Sequence, residues 1–206
     1  MGVFSMALKA ELKELNVEEE ILKMFDLTKD MLDSTWEGFR RQNKEKLQQA
    51  EIIGREIHTR EKVLTGSIMK DHPRKEDSSL EEFLIFLPSH LERIGDDIEL
   101  LIRSTRSIII EGMCFSDRAI KEINSLFAKA EELLESTRNS LTTGDREQIN
   151  RVREEGIKFQ EMIGEYSLSH YDRLIQGSCM PKASSIYLAI LDYLSDIEKH
   201  LRKMAK

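Results

Sequence analysis

The chain has 206 residues, 40% of them apolar and 33% charged, which is enough apolar material for a core and too much for a disordered polymer. Its net charge of -7 repels a phosphate backbone, and no stretch approaches about 20 consecutive apolar residues, so neither a nucleic-acid partner nor direct membrane insertion is expected. The opening MGVFSMALKAELKEL lacks the apolar region of a signal peptide, and Cys114 and Cys179 share no C-x-x-C spacing. A cytoplasmic protein with free thiols is the expectation.

Only Pro73, Pro88 and Pro181 interrupt a sequence rich in Leu, Ile, Met, Glu and Lys, so helices are predicted throughout. Residues 5–15 read as a short amphipathic lead-in, with Asn16 as a cap for the first long helix. The spacing of Ile21, Phe25, Thr28, Leu32 and Phe39 predicts that helix from Val17 to about Arg41. After Asn43 the pattern restarts with Leu47, Ala50, Ile53, Ile57 and Leu64, and it should stop before the polar stretch from Lys70 to Ser79. A third helix is predicted after Ser78 or Ser79, with Pro88 as a place for a kink.

That third helix carries the clearest pattern in the chain. Leu84, Leu87, Leu91, Ile94, Ile98, Leu101, Thr105 and Ile108 alternate steps of three and four, the register of a narrow packing seam. Residues 112–115 form a connector, and Ser116 can cap a fourth helix that buries Ile120, Ile123, Phe127, Ala130 and Leu134 and ends near Leu141. Thr142 to Asp145 provide a turn. A fifth helix over about 145–176 presents Ile149, Val152, Ile157, Met162 and Tyr166, and Gly177 can terminate it. Pro181 can open the last helix, which uses Ile186, Ile190, Leu194, Ile197 and Leu201. Three helices, a connector and three more make an internal repeat.

Glu92 and Asp96 stand one helical turn apart and can project from one face. Two such carboxylates resist joint ionisation unless a cation neutralises them, which makes a metal site physically reasonable; the competing reading is a solvated stripe paired with nearby Lys or Arg. Gly95 between them costs about 1 kcal/mol of helix stability relative to alanine, which implies close packing or room for a ligand. His170 and Arg173 are placed to bind an anion or, as the preferred reading, to form salt bridges to acidic helices. Trp36, Tyr166, Tyr171, Tyr187 and Tyr193 read as packing anchors. A buried or inert thiol is the reading for Cys179.

The run Ser89-His90-Leu91-Glu92-Arg93-Ile94-Gly95-Asp96-Asp97 resembles the metal-binding motif of the PhoU family of phosphate-uptake regulators. The stretch Ser169-His170-Tyr171-Asp172-Arg173-Leu174, followed by Gly177 to Pro181, is similar to the PhoU-like tails of bacterial sodium/phosphate cotransporter relatives. The resemblance implies an all-α fold of two pseudo-repeated antiparallel three-helix bundles, over residues 1–112 and 113–206. It also implies a cation, iron or zinc foremost, on acidic motifs. Glu92 and Asp96 carry over as ligands, Asp97 stands where the family commonly has His, and Glu61 and His58 are the partners offered by the second helix.

The second repeat departs from the motif. Ser195 and Lys199 stand where Glu and Asp are expected, although His200 follows in place and Asp192 with Asp196 forms an acidic pair one turn earlier. The implied role is non-catalytic regulation of phosphate transport or signalling, as a homodimer that engages a membrane phosphate transporter or a sensor kinase. The alternative is an interaction bundle that has lost its metal. No Glu-x-x-His set, phosphate loop or nucleophile elbow supports an enzyme.

Overall fold

The computed structural model describes residues 17–71 and 79–205, without the side chains of residues 70, 71 and 79–84. The expected lead-in at 5–15, the expected cap Asn16 of the first long helix, residues 72–78 of the expected loop and the side chain of Leu84 lie outside the described residues. Among the described residues six helices succeed one another: α1 Val17–Arg41, α2 Lys44–Asp71, α3 Ser79–Glu111, α4 Asp117–Thr143, α5 Arg146–Ile175 and α6 Pro181–Met204. Among the described residues there is no strand.

The helix ends obey local chemistry. Asn43 Oδ1 accepts from the backbone N–H groups of Glu45 and Lys46 at 2.9 and 3.1 Å, so α2 restarts at once after a turn in which Gln42 takes φ +50°. Ser116 caps α4 through the Ala119 N–H at 3.2 Å, Asp145 caps α5 through Glu147, and Pro181 opens α6 where its missing N–H costs nothing. Helix α5 closes with Gly177 at φ +69° while the Ser178 N–H reaches the Arg173 carbonyl at 2.9 Å, a return that satisfies an end carbonyl. Helix α3 runs unbroken from Ser79 to Glu111 through Pro88.

Helices α1, α2 and α3 pack on one another, as do α4, α5 and α6. The two units meet through equivalent helices, α1 against α4 and α3 against α6. Both pairs are antiparallel: Trp36 meets Asn124 while Lys29 meets Glu131, and His90 meets His200 while Glu111 meets Lys182. One continuous apolar core therefore runs through both units, from Phe25 and Leu32 through Leu91 and Ile98 to Phe127, Tyr187 and Leu194.

The apolar registers differ from the sequence expectation in two helices. Ile120 is 39% exposed, and Ala119 and Leu126 join the expected Ile123 in the core of α4. On α5, Ile157 faces solvent while Gly156, Phe159 and Ile163 face inward, and Tyr171 is exposed rather than an anchor. A third or fourth residue along a helix can each continue a stripe, so in the sequence an apolar side chain one position off register is indistinguishable from core.

Across the α1–α4 contact, Phe127 is buried between Trp36, whose ring centroid lies 6.1 Å away, and Phe39, also at 6.1 Å. Phe127→Ala should cost about 3–5 kcal/mol, from lost burial plus a cavity between the units. Urea denaturation followed by helical circular dichroism is the check, and a loss below about 1 kcal/mol would contradict a shared core.

Candidate functional site at the helix seams

The motif helix α3 presents Glu92, Asp96 and Asp97 in three different settings. Glu92 is half-buried and its Oε1 lies 3.0 Å from His58 Nδ1 of α2. Asp96 is exposed. Gly95 between them is buried, and a Cβ there would lie 3.7 Å from Ile57, so the glycine gives α2 and α3 ordinary van der Waals contact at that crossing. Glu61 accepts a hydrogen bond from Thr65 of its own helix at 3.0 Å. The structure thus brings His58 and Glu92 together. Among the described residues, no group of three or more His, Cys, Asp and Glu side chains is placed to hold a metal ion. The residues present supply a two-donor pair rather than a closed cage.

Asp97 turns instead toward the second unit. Burial pushes its carboxyl up from 3.8 to about 7, helped by the charges of Asp196 on α6 and of neighbouring Asp96, against Lys199 and Arg93. Asp196 is itself paired with Lys199 at 2.8 Å, and Asp192 is exposed. One layer away, His90 and His200 face each other across the same seam with Nδ1 atoms 2.6 Å apart, and His90 packs on Phe86. Burial first, then the charges of Lys203 and Arg93, lowers the His200 pKa, which favours the neutral form of that ring.

The second repeat fills the equivalent crossing with its own charges. Glu198 of α6 is 1% exposed and sits against Gly156 of α5, where a Cβ would lie 2.3 Å from Glu198 Oε1. Gln160 Nε2 donates to Glu198 Oε2 at 2.5 Å and Arg202 Nε donates to Oε1 at 2.7 Å. Ser195 Oγ donates to Gln160 Oε1 at 2.9 Å. The Arg202 guanidinium supplies covalently the positive charge that a buried carboxylate needs.

A second buried carboxylate ties three helices together. Glu122 on α4 accepts from Arg173 Nη1 and Nη2 of α5 at 2.9 and 2.7 Å, from Tyr187 Oη of α6 at 2.6 Å and from Arg118 Nε at 3.0 Å. Burial alone would raise its carboxyl, but these hydrogen bonds outweigh that cost and hold it below the ordinary 4.5. Arg173 is therefore a salt-bridge partner of an acidic helix, in line with the sequence reading. His170 stacks on the Tyr187 ring at 4.4 Å, is buried, and has no hydrogen-bond partner at either ring nitrogen; burial lowers its pKa, so the ring stays neutral. Cys114 is exposed, and Cys179, expected to be buried or inert, is partly exposed rather than buried.

Sequence reasoning missed Glu122, Glu198 and the His90–His200 pair. A signal was present: Glu122 lies in register with Ala119 and Leu126, and Glu198 with Leu191, Leu194 and Leu201, so each is an acid written into an apolar stripe.

Residues 21–104 match the PhoU domain family. That match runs from α1 into α3, within the first unit, and the chain as a whole has the all-helical fold of solved PhoU structures. Among solved structures, PhoU from Pseudomonas aeruginosa superposes with a TM-score of 0.86 at 17% identity, covering 96% of this chain and 94% of that one. The phosphate transport system regulatory protein PhoU from Streptococcus pneumoniae gives 0.82 at 12% identity, covering 96% and 93%. A curated relative, "Putative inorganic phosphate export protein YjbB" of Salmonella typhimurium, is 24% identical over 181 residues, 85% of this chain. The chain spans about a third, 33%, of that relative's length.

The two kinds of buried acid respond oppositely to pH. Glu122→Ala should destabilise the protein by about 3–5 kcal/mol near neutral pH, because Arg173 is left buried without its partner. Its depressed carboxyl contributes stability that is present above 4.5 and lost as pH falls through the lowered value, so the variant should also show a shallower acid limb in urea melts against pH. Asp97 has the opposite sign. Its raised carboxyl destabilises the fold progressively as pH rises from 3.8 to about 7, so Asp97→Asn should raise the melting temperature at about pH 8 and leave it nearly unchanged at about pH 4.

Proposed function

We propose that this protein is a non-catalytic regulatory adaptor of phosphate transport or of phosphate signalling, engaging a transporter or a sensor kinase at the membrane. The observation that carries the reading is the PhoU fold over nearly the whole chain together with the PhoU domain match at residues 21–104. A fold by itself hosts many functions, and the support here is that the match includes the motif helix with Glu92, Asp96 and Asp97. The name of the Salmonella relative, which refers to phosphate export, points in the same direction. No helix among the described residues is long and apolar enough to cross a membrane, so contact with a transporter would run through the helix faces or through regions outside the described residues.

The finer part of the proposal is a cation held by Glu92 and His58, with Asp96 one turn away. A zinc or iron ion there would take an imidazole nitrogen and carboxylate oxygens from two helices and keep water in its remaining positions. Such an open set predicts weak, dialysable binding. The second reading is an adaptor that keeps its shape without metal. The Glu198–Arg202 pair favours it, because in that repeat an internal cation already performs the neutralisation.

Elemental analysis and isothermal titration with zinc and ferric iron test the two. Wild type should bind about one equivalent weakly, and Glu92→Ala with Asp96→Ala should abolish it while circular dichroism is unchanged. Absence of binding by a folded wild type would leave the metal-free adaptor.

A further inference from the structure

Helix α5 is an outer helix that packs on α4 and α6. Its inward face is spent on Val152, Gly156, Phe159, Ile163 and His170. An exposed flank carries Gly164, Leu168, Tyr171 and Ile175 at steps of four, three and four, which places them on one stripe. Leu168 is 68% exposed, Tyr171 49% and Ile175 85%, and Met180 extends the patch into the following turn at 62%. A Cβ added at Gly164 would meet nothing within 4 Å, so a second backbone can come close there. Isolated exposed apolar residues are ordinary, whereas an uncovered stripe with heptad spacing is a helix-docking pattern.

The rim of this stripe selects the occupant. Glu161, Glu165 and Asp172 run along one edge of it, all exposed and none in an ion pair among the described residues. Elsewhere, Glu155 on the same helix is neutralised by Lys129 and Lys158, and Asp196 on α6 by Lys199. Lys158, the nearby cation on the same helix, is already committed to Glu155 at 2.8 Å. An apolar stripe bordered along one edge by uncommitted carboxylates is complementary to an amphipathic helix with Lys or Arg beside its apolar line. A second copy of this chain would set the acidic rim against itself, and an anionic lipid surface would be repelled by it.

We propose that the outer face of α5, from Gly164 to Met180, docks a cationic amphipathic helix of a protein partner. Segments that flank membrane spans on the cytoplasmic side carry an excess of Lys and Arg, so a transporter offers this chemistry. That assignment of the partner rests on the adaptor reading, whereas the docking itself does not.

The test uses the purified full chain and a fluorescein-labelled synthetic helix about three heptads long, with Leu at the a and d positions and Lys at e and g. A control peptide carries Glu in place of every Lys. Fluorescence anisotropy should show the Lys peptide binding at least about tenfold more tightly than the Glu peptide. Leu168→Asp with Ile175→Asp should weaken the Lys peptide by about tenfold or more, and Glu165→Lys with Asp172→Lys should invert the preference. Every substituted side chain is exposed, so circular dichroism should stay unchanged. Equal binding of both peptides, no binding, or insensitivity to these substitutions would overturn the proposal. So would a wild-type dimer in size-exclusion chromatography that Leu168→Asp with Ile175→Asp converts to monomer, since a second copy would then own the face. The readout needs neither phosphate nor a transporter, so its failure would leave the adaptor reading intact, and a failed phosphate phenotype would leave docking intact.

Discussion

The antiparallel meeting of equivalent helices, α1 with α4 and α3 with α6, is the constraint on which the rest of the molecule depends. Neither three-helix unit seals its own core; the aromatic contacts of Phe127 with Trp36 and Phe39 and the packing of Leu91, Ile98 and Leu194 cross between them. Helices α3 and α6 are thereby covered on two sides, and polar groups they carry toward the seam lose water. The raised carboxyl of Asp97 and the lowered pKa of His200 are consequences of that lost hydration. Helices α2 and α5 are left on the outside with one face each to spare.

The two repeats solve the same electrostatic problem differently. In the first, Gly95 meets Ile57 and the neighbouring carboxylate Glu92 is met by a histidine at a half-exposed position. In the second, the space beside Gly156 of α5 is filled by Glu198, with Gln160 and Arg202 around it. A buried carboxylate needs a positive partner, and a guanidinium on the same helix provides one that cannot dissociate. The divergence is therefore asymmetric: one crossing stays open to solvent and one is closed from within.

The Glu122 cluster serves a different end. Arg173, Tyr187 and Arg118 converge on one carboxylate and fix the relative positions of α4, α5 and α6 where the connector enters the second unit. Removing any one donor leaves charge in a low-dielectric setting, so the cluster specifies an arrangement as well as stabilising it. By holding α5 through its inner face, it also presents the Leu168–Ile175 stripe as a rigid, pre-ordered surface.

The sequence by itself determined the helices, their order and most of their ends, because caps such as Asn43, Ser116 and Asp145, the αL glycine Gly177 and the seam of α3 are local or periodic signals that act within a few residues. It also marked Glu92, Asp96, Asp97, Glu61 and His58 as chemically interesting. Tertiary structure decided which of them meet: His58 with Glu92 across α2 and α3, Asp97 with Asp196 across α3 and α6, and Glu61 with its own Thr65. It equally decided that Ile157 and Tyr171 face water while Glu122 and Glu198 are buried. Helical periodicity says which residues share a face, but the rotation of each helix against its neighbours is set by the sum of all packing contacts, and a rotation of one residue position exchanges core for surface.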